Sequence, residues 1–349
     1  MKASYCKYKL KFYTPATTSR EVMTDKETYF LKVWDEADES TFGIGECALF
    51  RGLSSDDRPD YEDKLNELCE NIACNKTTDL TAFGSIQFGL ETALLDFANG
   101  GRRVLFPTSW VAGESEIPIN GLVWMGNADE MLRRIDEKLD KGFRCVKLKI
   151  GGIDFDEEIA LLAHIRDRFS PDKLELRLDA NGAFSPKDAM SKLCELSRFD
   201  IHSIEQPIKA GQWHDMARLC CDSPIPIALD EELIGVNDVK MKRLLLHTII
   251  PQYIILKPAL CGGLSGAREW VELAQSMGIG WWVTSALESN IGLNAIAQWV
   301  ATLDADMPQG LGTGALYENN FGSPLEQVRD VIRYNPQKSW TIPRLDWCR

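Results

Sequence analysis

The chain has 349 residues, 44% of them hydrophobic and 26% charged, and its formal net charge at pH 7 is −13. This composition is typical of a globular protein with a sizeable core, and the length suits a barrel with an accessory domain. An acidic surface repels phosphate backbones and anionic lipids, so nucleic acid and anionic membranes are not expected partners. A small anionic substrate is still compatible with this charge, because a local cation can reverse the field inside one pocket.

The first residues contain no apolar core or cleavage site of a secretory signal. The longest apolar stretches, such as Leu244–Ile250, are too short to insert into a membrane. Ten cysteines are scattered without CxxC pairs, which indicates reduced thiols in a cytoplasmic protein. A zinc cluster is not favoured, because the histidines lack ligand spacing. These are His164, His202, His214 and His247.

The first 115 residues predict an α+β unit, in which strands are followed by helices. The predicted strands are Tyr5–Phe12, Thr28–Trp34 and Gly43–Phe50, the loops between and after them are Thr14–Lys26 and Arg51–Asp60, and the helices are Leu65–Ile72 and Ser85–Phe97. From about Pro118 onward, short apolar strands alternate with helical segments, as in the βαβ units of a parallel sheet.

The polar residues that end these strands recur at intervals of 25 to 30 residues, the length of one strand, one helix and two loops. They are Lys149, Asp179, Glu205, Asp230 and Lys257. Adding Pro118–Trp124 before them, and the segments WWVTSALE and 310–313 after them, gives eight strand positions. The sequence therefore predicts an α/β protein with a (β/α)8 barrel over residues 116–319. We expect the C-terminal segment 320–349 to lie outside the barrel and to complete the N-terminal domain.

Two other patterns have ordinary explanations. The predicted helix Phe155–Arg168 begins with Asp156, Glu157 and Glu158, which suit a solvated helix start better than a metal site. The glycines of residues 262–266 resemble a phosphate-binding loop but lack a complete motif, so a tight turn into a helix is the better interpretation.

Three carboxylates come at consecutive strand ends, namely Asp179, Glu205 and Asp230. Each one alone could be a helix cap, but three in register would repel one another unless a cation lay between them. Because no histidine or cysteine accompanies these hard oxygen ligands, the pattern predicts Mg²⁺, or Mn²⁺, rather than zinc. Three protein ligands would leave positions open for a substrate carboxylate.

Lys147 and Lys149 are two residues apart on one strand, so their side chains point the same way. The residues around them are apolar, which argues against a solvent-exposed basic strand. Beside a divalent cation a lysine is pushed toward the neutral amine, a competent general base near pH 7. Lys257 follows an apolar run on the strand after Asp230 and would serve as a second acid or base, or as a fixed cation.

At these residues the sequence resembles the enolase superfamily, in its muconate-lactonizing-like branch. The matching motifs are KLK (147–149), LDAN (178–181), IEQP (204–207), LDEE (229–232) and LKP (256–258). Segments 118–126, 284–299 and 309–317 are similar to the dehydratases of menaquinone biosynthesis within this branch. The SALES segment with Gly292 differs from the form expected of cycloisomerases, and Gly182 stands where some relatives have arginine.

The resemblance implies a barrel with an N-terminal capping domain and a small-molecule carboxylate substrate. Asp179, Glu205 and Asp230 would bind Mg²⁺. Lys149 would remove the α-proton of 2-succinyl-6-hydroxy-2,4-cyclohexadiene-1-carboxylate and then protonate the departing hydroxyl on the same face. Lys257 would stabilise the anion as a cation, and Lys147 would hydrogen-bond the carboxylate and tune Lys149.

Further substrate contacts are predicted from strand parity and from the same resemblance. Arg177 and Asn181 share the parity of Asp179 and would support the site. The two loops Thr14–Lys26 and Arg51–Asp60 would close over the substrate. The turn that would border the succinyl group contains Ser285, Leu287, Glu288 and Ser289.

Several alternatives share these motifs. An N-succinylamino acid racemase or a dipeptide epimerase would use the same two lysines on opposite faces of the substrate. A Schiff-base aldolase would use Lys257 as its nucleophile. A catalytically inactive barrel that serves as a binding protein is a further alternative, which the intact set of three acids and two lysines disfavours. The sequence leaves the oligomeric state open.

Overall fold

The structure is a computed structural model, and it describes residues 1–17 and 22–348. Its N-terminal part is a three-stranded antiparallel sheet followed by two helices, which confirms the predicted α+β unit. The strands are β1 (Lys2–Thr17), β2 (Val22–Asp35) and β3 (Asp38–Cys47), adjacent in that order, and the helices are α1 (Tyr61–Ala73) and α2 (Gly84–Ala98).

The first two strands are longer than predicted and include most of the expected loop Thr14–Lys26. They still pair at Ala16 with Met23, after a register shift beyond Lys11. The prediction of a loop was therefore wrong for residues 14–17 and 22–26, and residues 18–21 lie outside the described part of the chain. Polar, exposed side chains do not prevent pairing, because the ladder uses only backbone groups. The second predicted loop, Arg51–Asp60, is a series of turns without helix or strand.

Helix α2 lies directly against β3, because two glycines leave no side chain between them. A Cβ atom added to Gly43 would lie 2.0 Å from the carbonyl oxygen of Ala93, and one added to Gly45 would lie 1.9 Å from that of Gly89. Both distances are far inside van der Waals contact. The close approach closes the core of the N-terminal unit.

The second part of the chain alternates parallel strands with helices, as predicted. Seven strands form one sheet in sequential order, which are β5 (Gly121–Val123), β6 (Cys145–Lys149), β7 (Glu175–Asp179), β8 (Ser203–Glu205), β9 (Ile227–Leu229), β10 (Tyr253–Leu256) and β11 (Gly280–Val283). The helices are α3 (Ala128–Asp140), α4 (Phe155–Arg168), α5 (Ala189–Leu196), α6 (Trp213–Asp222), α7 (Val239–Ile249), α8 (Gly263–Ser276) and α9 (Asn290–Val300). The predicted helix Phe155–Arg168 coincides with α4, and Gly262 makes a left-handed turn into α8.

The eighth predicted strand position is present as two isolated parallel bridges. Gly310 bridges Thr284, which follows β11, and Gln309 bridges Ile119, which precedes β5. The first predicted strand, Pro118–Trp124, is correspondingly divided. Its start belongs to β4 (Ile117–Pro118), which pairs outside the main sheet, and only residues 121–123 join the parallel strands.

The C-terminal segment returns to the N-terminal sheet. Strands β12 (Leu325–Val328) and β13 (Val331–Tyr334) form an antiparallel hairpin that pairs with β4. Beyond it, the backbone nitrogen of Cys348 donates to the carbonyl oxygen of Tyr5 at 2.8 Å. Phe321 and Leu345 pack into a hydrophobic cluster with residues of the N-terminal sheet.

All ten cysteines lie in the described part of the chain, and they are free thiols there. Among the described helices, we find none with the length and apolar composition that a membrane span requires.

Candidate active site

The carboxyl ends of β6, β7 and β8 lie in register and bring the predicted site residues side by side. Lys149 pairs with Asp179, and Asp179 pairs with Glu205 across neighbouring strands. Asp230 follows β9 directly, and Lys257 follows β10. Because parallel strands end at one edge of a sheet, these five side chains converge there as predicted.

The three carboxylates are almost inaccessible to solvent, with exposures of 1% for Asp179, 2% for Glu205 and 1% for Asp230. Lysine ammonium groups compensate part of their charge. Lys147 Nζ lies 2.9 Å from Asp179 Oδ2 and also forms an ion pair with Glu205. Lys257 forms an ion pair with Asp230.

Burial and charge give these carboxyl groups different pKa values. Burial would raise the pKa of Asp179, but the charges of Lys147 and Lys149 outweigh it and hold that pKa well below its ordinary value. Burial would likewise raise the pKa of Asp230, which the Lys257 charge lowers instead. Burial and the neighbouring charges of Asp179 and Asp230 raise the pKa of Glu205 well above its ordinary value. The positive charge around Glu205 is therefore too small to stabilise the ionised form of its carboxyl group.

This imbalance is what a bound cation would correct. Among the described residues, Glu205 Oε1 is buried and accepts no hydrogen bond. No three acidic, histidine or cysteine side chains in the same part of the chain form a complete ligand cluster, and the Lys147 ammonium bridges two of the carboxylates instead. The donor set consists of oxygen atoms alone, which fits Mg²⁺ and not zinc.

Lys149 contacts the same oxygen of Asp179 as Lys147 does. Its Nζ donates to Asp179 Oδ2 at 2.8 Å and to Asn181 Oδ1 at 2.6 Å, and the side chain is largely buried. Asn181 has a left-handed backbone (φ 45°), and its Nδ2 donates to Glu231 Oε1 at 3.0 Å. The amide is therefore a direct partner of Lys149, although Asn181 lies beyond the end of β7, where strand parity no longer fixes the direction of a side chain.

The neighbouring lysines are strongly held as cations in this state. Burial would lower the pKa of Lys147, but Asp179 and Glu205 raise it well above its ordinary value. Burial would lower the pKa of Lys257 as well, and Asp230 is the main group that raises it. The expected lowering of lysine pKa values depends on a divalent cation, and it stays a prediction for the metal-bound protein.

A cavity with an empty volume of about 740 Å³, part of it open to solvent, lies over these groups. Lys147, Lys149, Asp179 and Lys257 form its charged side. Its other walls are mostly apolar or hydroxyl-bearing, and are formed by Met23, Phe50, Leu53, Asn120, Leu122, Trp124, Thr284, Ser285, Ala286, Leu287 and Thr313, together with Asn181, Gly310 and Gly312. One wall therefore carries charge and the others can accept a carbon skeleton.

Three predicted contact residues lie off the cavity wall. Arg177 donates to Glu175 Oε1 at 2.7 Å and to the carbonyl oxygen of Pro308 at 2.8 Å, so it braces the sheet below the cavity. Glu288 is fully buried and accepts from Ser285, and Ser289 bonds Glu46 behind the turn. Strand parity correctly predicted that Arg177 points to the same side of the sheet as Asp179. However, Arg177 lies two residues before the end of the strand, so its side chain does not reach the cavity.

Sequence reasoning missed most of the apolar wall. Asn120, Leu122 and Trp124 alternate along the first barrel segment, so their shared parity was an available signal. Met23 and Leu53 lie within the two segments that were expected to close over the substrate. The sequence could not predict that these two residues line the cavity, because this depends on how the N-terminal unit packs on the barrel.

Comparisons with known proteins show the family to which the chain belongs. The profile of the family described as Enolase C-terminal domain-like matches residues 130–334. The o-succinylbenzoate synthase of Desulfotalea psychrophila is 46% identical over 93% of this chain and 96% of its own length. A crystal structure of MenC from the same organism has a TM-score of 0.85 and 43% identity, covering 95% of this chain and 99% of that one.

A relative of different activity matches less of the chain. The L-Ala-D/L-Glu epimerase of Bacillus subtilis is 28% identical over 55% of this chain and 53% of its own length. The matched profile spans more than half of the chain, and the o-succinylbenzoate synthase match extends through the N-terminal unit as well. The protein is therefore a member of the Enolase C-terminal domain-like family, which confirms the resemblance to the enolase superfamily seen in its barrel motifs.

Proposed function

We propose that this enzyme is an o-succinylbenzoate synthase, a hydro-lyase that dehydrates 2-succinyl-6-hydroxy-2,4-cyclohexadiene-1-carboxylate in menaquinone biosynthesis. The observation that carries the proposal is the match to a synthase at 46% identity through 93% of the chain, capping unit and barrel alike. The L-Ala-D/L-Glu epimerase of Bacillus subtilis is only 28% identical, over about half of each chain. The cavity adds support, since it combines a charged side with apolar walls.

Asp179, Glu205 and Asp230 would hold the required Mg²⁺, for which Mn²⁺ can substitute. Such an ion supplies positive charge beside the substrate carboxylate, where negative charge builds up as the neighbouring proton leaves. The buried Glu205 oxygen without a hydrogen-bond partner among the described residues supports this assignment.

Lys149 would act as the base and then as the acid. It lines the cavity beside Asp179, within reach of a substrate whose carboxylate lies at the charged side. As a neutral amine it takes the α-proton, and the resulting ammonium gives a proton to the departing hydroxyl as water is lost. One lysine serving both steps requires that proton and hydroxyl leave from the same face, which is a syn-dehydration.

The other two lysines would serve as fixed cations. Lys257 lies at the end of β10, four strands from Lys149 in the sheet, and both line the cavity. From there it stabilises the anionic intermediate electrostatically. Lys147, between Asp179 and Glu205, hydrogen-bonds the substrate carboxylate and tunes Lys149.

The distal part of the substrate would meet the remaining walls. Asn181, Ser285 and Leu287 line the cavity and keep their predicted role as substrate contacts. Arg177, Glu288 and Ser289 would support the site from outside it, through the groups that they bond.

Racemization of N-succinylamino acids is a second candidate activity, favoured by the placement of Lys149 and Lys257 on strands four apart in the sheet. A base on each side of a substrate carbon would allow proton exchange with inversion. An aldolase that uses Lys257 as nucleophile gains no support, because that lysine is ion-paired with Asp230. Borohydride trapping with substrate would have to label Lys257 for that alternative to stand.

The experiment that tests the proposal compares the two substrate types with one preparation of the enzyme. We expect rapid conversion of the cyclohexadiene carboxylate, followed by ultraviolet absorbance as the ring becomes aromatic, and slower or no racemization of N-succinylamino acids. Efficient racemization without dehydration would contradict the proposal.

The same proposal includes the architecture around the site. The bridges at Gln309 and Gly310 connect the edges of the seven-stranded sheet, so we propose a closed (β/α)8-type barrel over residues 116–319. Residues 1–115, completed by 320–349, would form the capping domain. The free cysteines support a reducing, cytoplasmic location.

A further inference from the structure

Residues 285–287 of the turn from Ser285 to Ser289 form part of the cavity wall, and the turn includes a costly backbone conformation. Leu287 has φ 62°, in the left-handed region, while its side chain lines the cavity. A leucine is rarely found in this region, because its Cβ atom crowds the backbone. The surrounding contacts must therefore hold this residue in place.

Tyr317 supplies one of these contacts from outside the cavity. Its hydroxyl donates to the carbonyl oxygen of Leu287 at 2.7 Å, and the backbone nitrogen of Leu287 donates to Ser285 Oγ at 3.0 Å. Tyr317 is 2% exposed, does not line the cavity, and packs against Phe12 of β1 with ring centroids 4.7 Å apart. Both backbone polar groups of Leu287 are thus fixed by side chains.

Glu46 of β3 holds the other end of the same turn. Its carboxylate accepts from the backbone nitrogen of Ser289 at 3.0 and 3.1 Å, from Ser289 Oγ at 2.6 Å and from the nitrogen of Gly292 at 3.0 Å. These donors lie at the start of α9, where a negative charge is favoured by the helix dipole. A buried acid of the N-terminal sheet is therefore joined to the cavity wall of the barrel.

We infer that Tyr317 and Glu46 are positioning residues for substrate recognition, which fix the Leu287 wall without touching the substrate. The inference rests on the proposed function, because that wall would contact the succinyl side chain of the substrate. The wall meets a part of the substrate that does not react. Its loss should therefore weaken binding in the ground and transition states alike, raising KM while kcat is unchanged.

Tyr317→Phe tests this with the loss of one oxygen atom, and Tyr8→Phe is its matched control. The Tyr8 hydroxyl also donates to a backbone carbonyl, that of Asn319 at 3.0 Å, and Tyr8 neither lines the cavity nor bonds the Ser285–Ser289 turn. We expect Tyr317→Phe to raise KM by about tenfold, the cost of one lost hydrogen bond, with kcat within about twofold of wild type. Tyr8→Phe should leave both constants unchanged. Equal effects of the two variants, or a loss confined to kcat, would overturn the inference.

A double-mutant cycle with Leu287→Gly shows whether Tyr317 acts through this residue. Glycine adopts a positive φ without strain, so the hydrogen bond from Tyr317 is no longer needed to hold residue 287 in that background. We expect Tyr317→Phe to change KM by less than about twofold when residue 287 is glycine. Full additivity of the two substitutions would contradict a role through Leu287.

Glu46→Gln, with Glu39→Gln as control, tests the second anchor. Both acids lie on β3, but Glu39 is exposed and pairs with Lys32 on the surface. The expected result is a raised KM for Glu46→Gln only, with Mg²⁺ affinity unchanged. An unchanged KM for a folded Glu46→Gln variant would remove Glu46 from the inference.

Two measurements separate this inference from the proposed function. Wild-type turnover of the cyclohexadiene carboxylate tests the function alone. Amide hydrogen exchange at Leu287 tests whether Tyr317 holds this residue in place, whether or not turnover is seen. Faster exchange in Tyr317→Phe than in Tyr8→Phe supports the inference, and equal exchange overturns it.

Discussion

The two sides of the cavity differ in how their side chains are positioned. On the charged side, Lys149, Asp179 and Glu205 are placed by three strands that pair in register. On the apolar side, the carbonyl oxygen of Leu287 accepts a hydrogen bond from Tyr317, and Met23 comes from the N-terminal sheet. The groups proposed for the chemistry thus lie at strand ends, while the apolar walls of the cavity come from turns and from segments distant in sequence.

The largest effect should come from the charged side. Lys149→Ala removes the proposed base and acid, so we expect dehydration to fall by at least about 10⁴-fold. Because Asp179 keeps Lys147 as a partner at 2.9 Å, the fold and Mg²⁺ binding should persist. Circular dichroism and metal titration are the controls. Substantial dehydration by this variant would show that strand register had pointed to the wrong base.

Asp230→Asn should act on metal affinity. The substitution keeps the shape of the side chain but removes a charge, so we expect Mg²⁺ to bind more than about 100-fold more weakly. Calorimetric titration measures this directly. Unchanged affinity would mean that Asp230 serves only as the ion-pair partner of Lys257.

The apolar side should give smaller effects of another kind. Trp124→Ala removes apolar surface from the cavity, and we expect KM to rise by about tenfold with a lesser change in kcat. Trp213→Ala is a suitable control, since that tryptophan is partly buried at the start of α6 and does not line the cavity. A loss in kcat as large as that of Lys149→Ala would abolish the distinction between the two sides.

The smallest effect should appear outside the cavity lining, at Glu326 of the C-terminal hairpin. Hydrogen bonds from Lys338, Asn335 and Arg333 lower the pKa of Glu326 to about 2. A depressed carboxyl pKa stabilises the fold above the ordinary pKa, near 4.5, and this contribution is lost as the pH falls toward 2. Glu326→Gln should therefore lower the Tm slightly at pH 6, with the difference shrinking below pH 4.

Thermal melts across this pH range check the sign. Activity should not change in Glu326→Gln, because the residue lies outside the cavity. A difference in Tm that grows as the pH falls would contradict the assigned ion pairs.

The contrast between the two sides also explains what could be predicted. Polar residues that end apolar strands repeat at the length of one βα unit, so the convergence of Asp179, Glu205 and Asp230 at one edge of the sheet was predictable without coordinates. Parity predicted the direction of Arg177, but it could not predict that Glu175 and Pro308 hold this side chain below the cavity. The direction of a side chain follows from local strand geometry, whereas its distance from the cavity depends on how the whole sheet is assembled.

The other features that the sequence did not predict also depend on contacts between distant parts of the chain. The eighth strand position is formed by bridges at Gln309 and Gly310, which exist only because the two edges of the sheet approach each other. The segment from Thr14 seemed to be a loop because its residues are polar, yet it pairs through its backbone with β2. The contacts of Tyr317 and Glu46 with the Ser285–Ser289 turn join residues distant in sequence, and no local pattern predicts them.

The most direct test of the central claim follows dehydration of the cyclohexadiene carboxylate by ultraviolet absorbance, first with Mg²⁺, then with EDTA, and then after Mg²⁺ is restored. We predict turnover that EDTA abolishes and that added Mg²⁺ recovers in full. Turnover that persists in EDTA would contradict a site in which three buried carboxylates hold the ion and a lysine moves the proton.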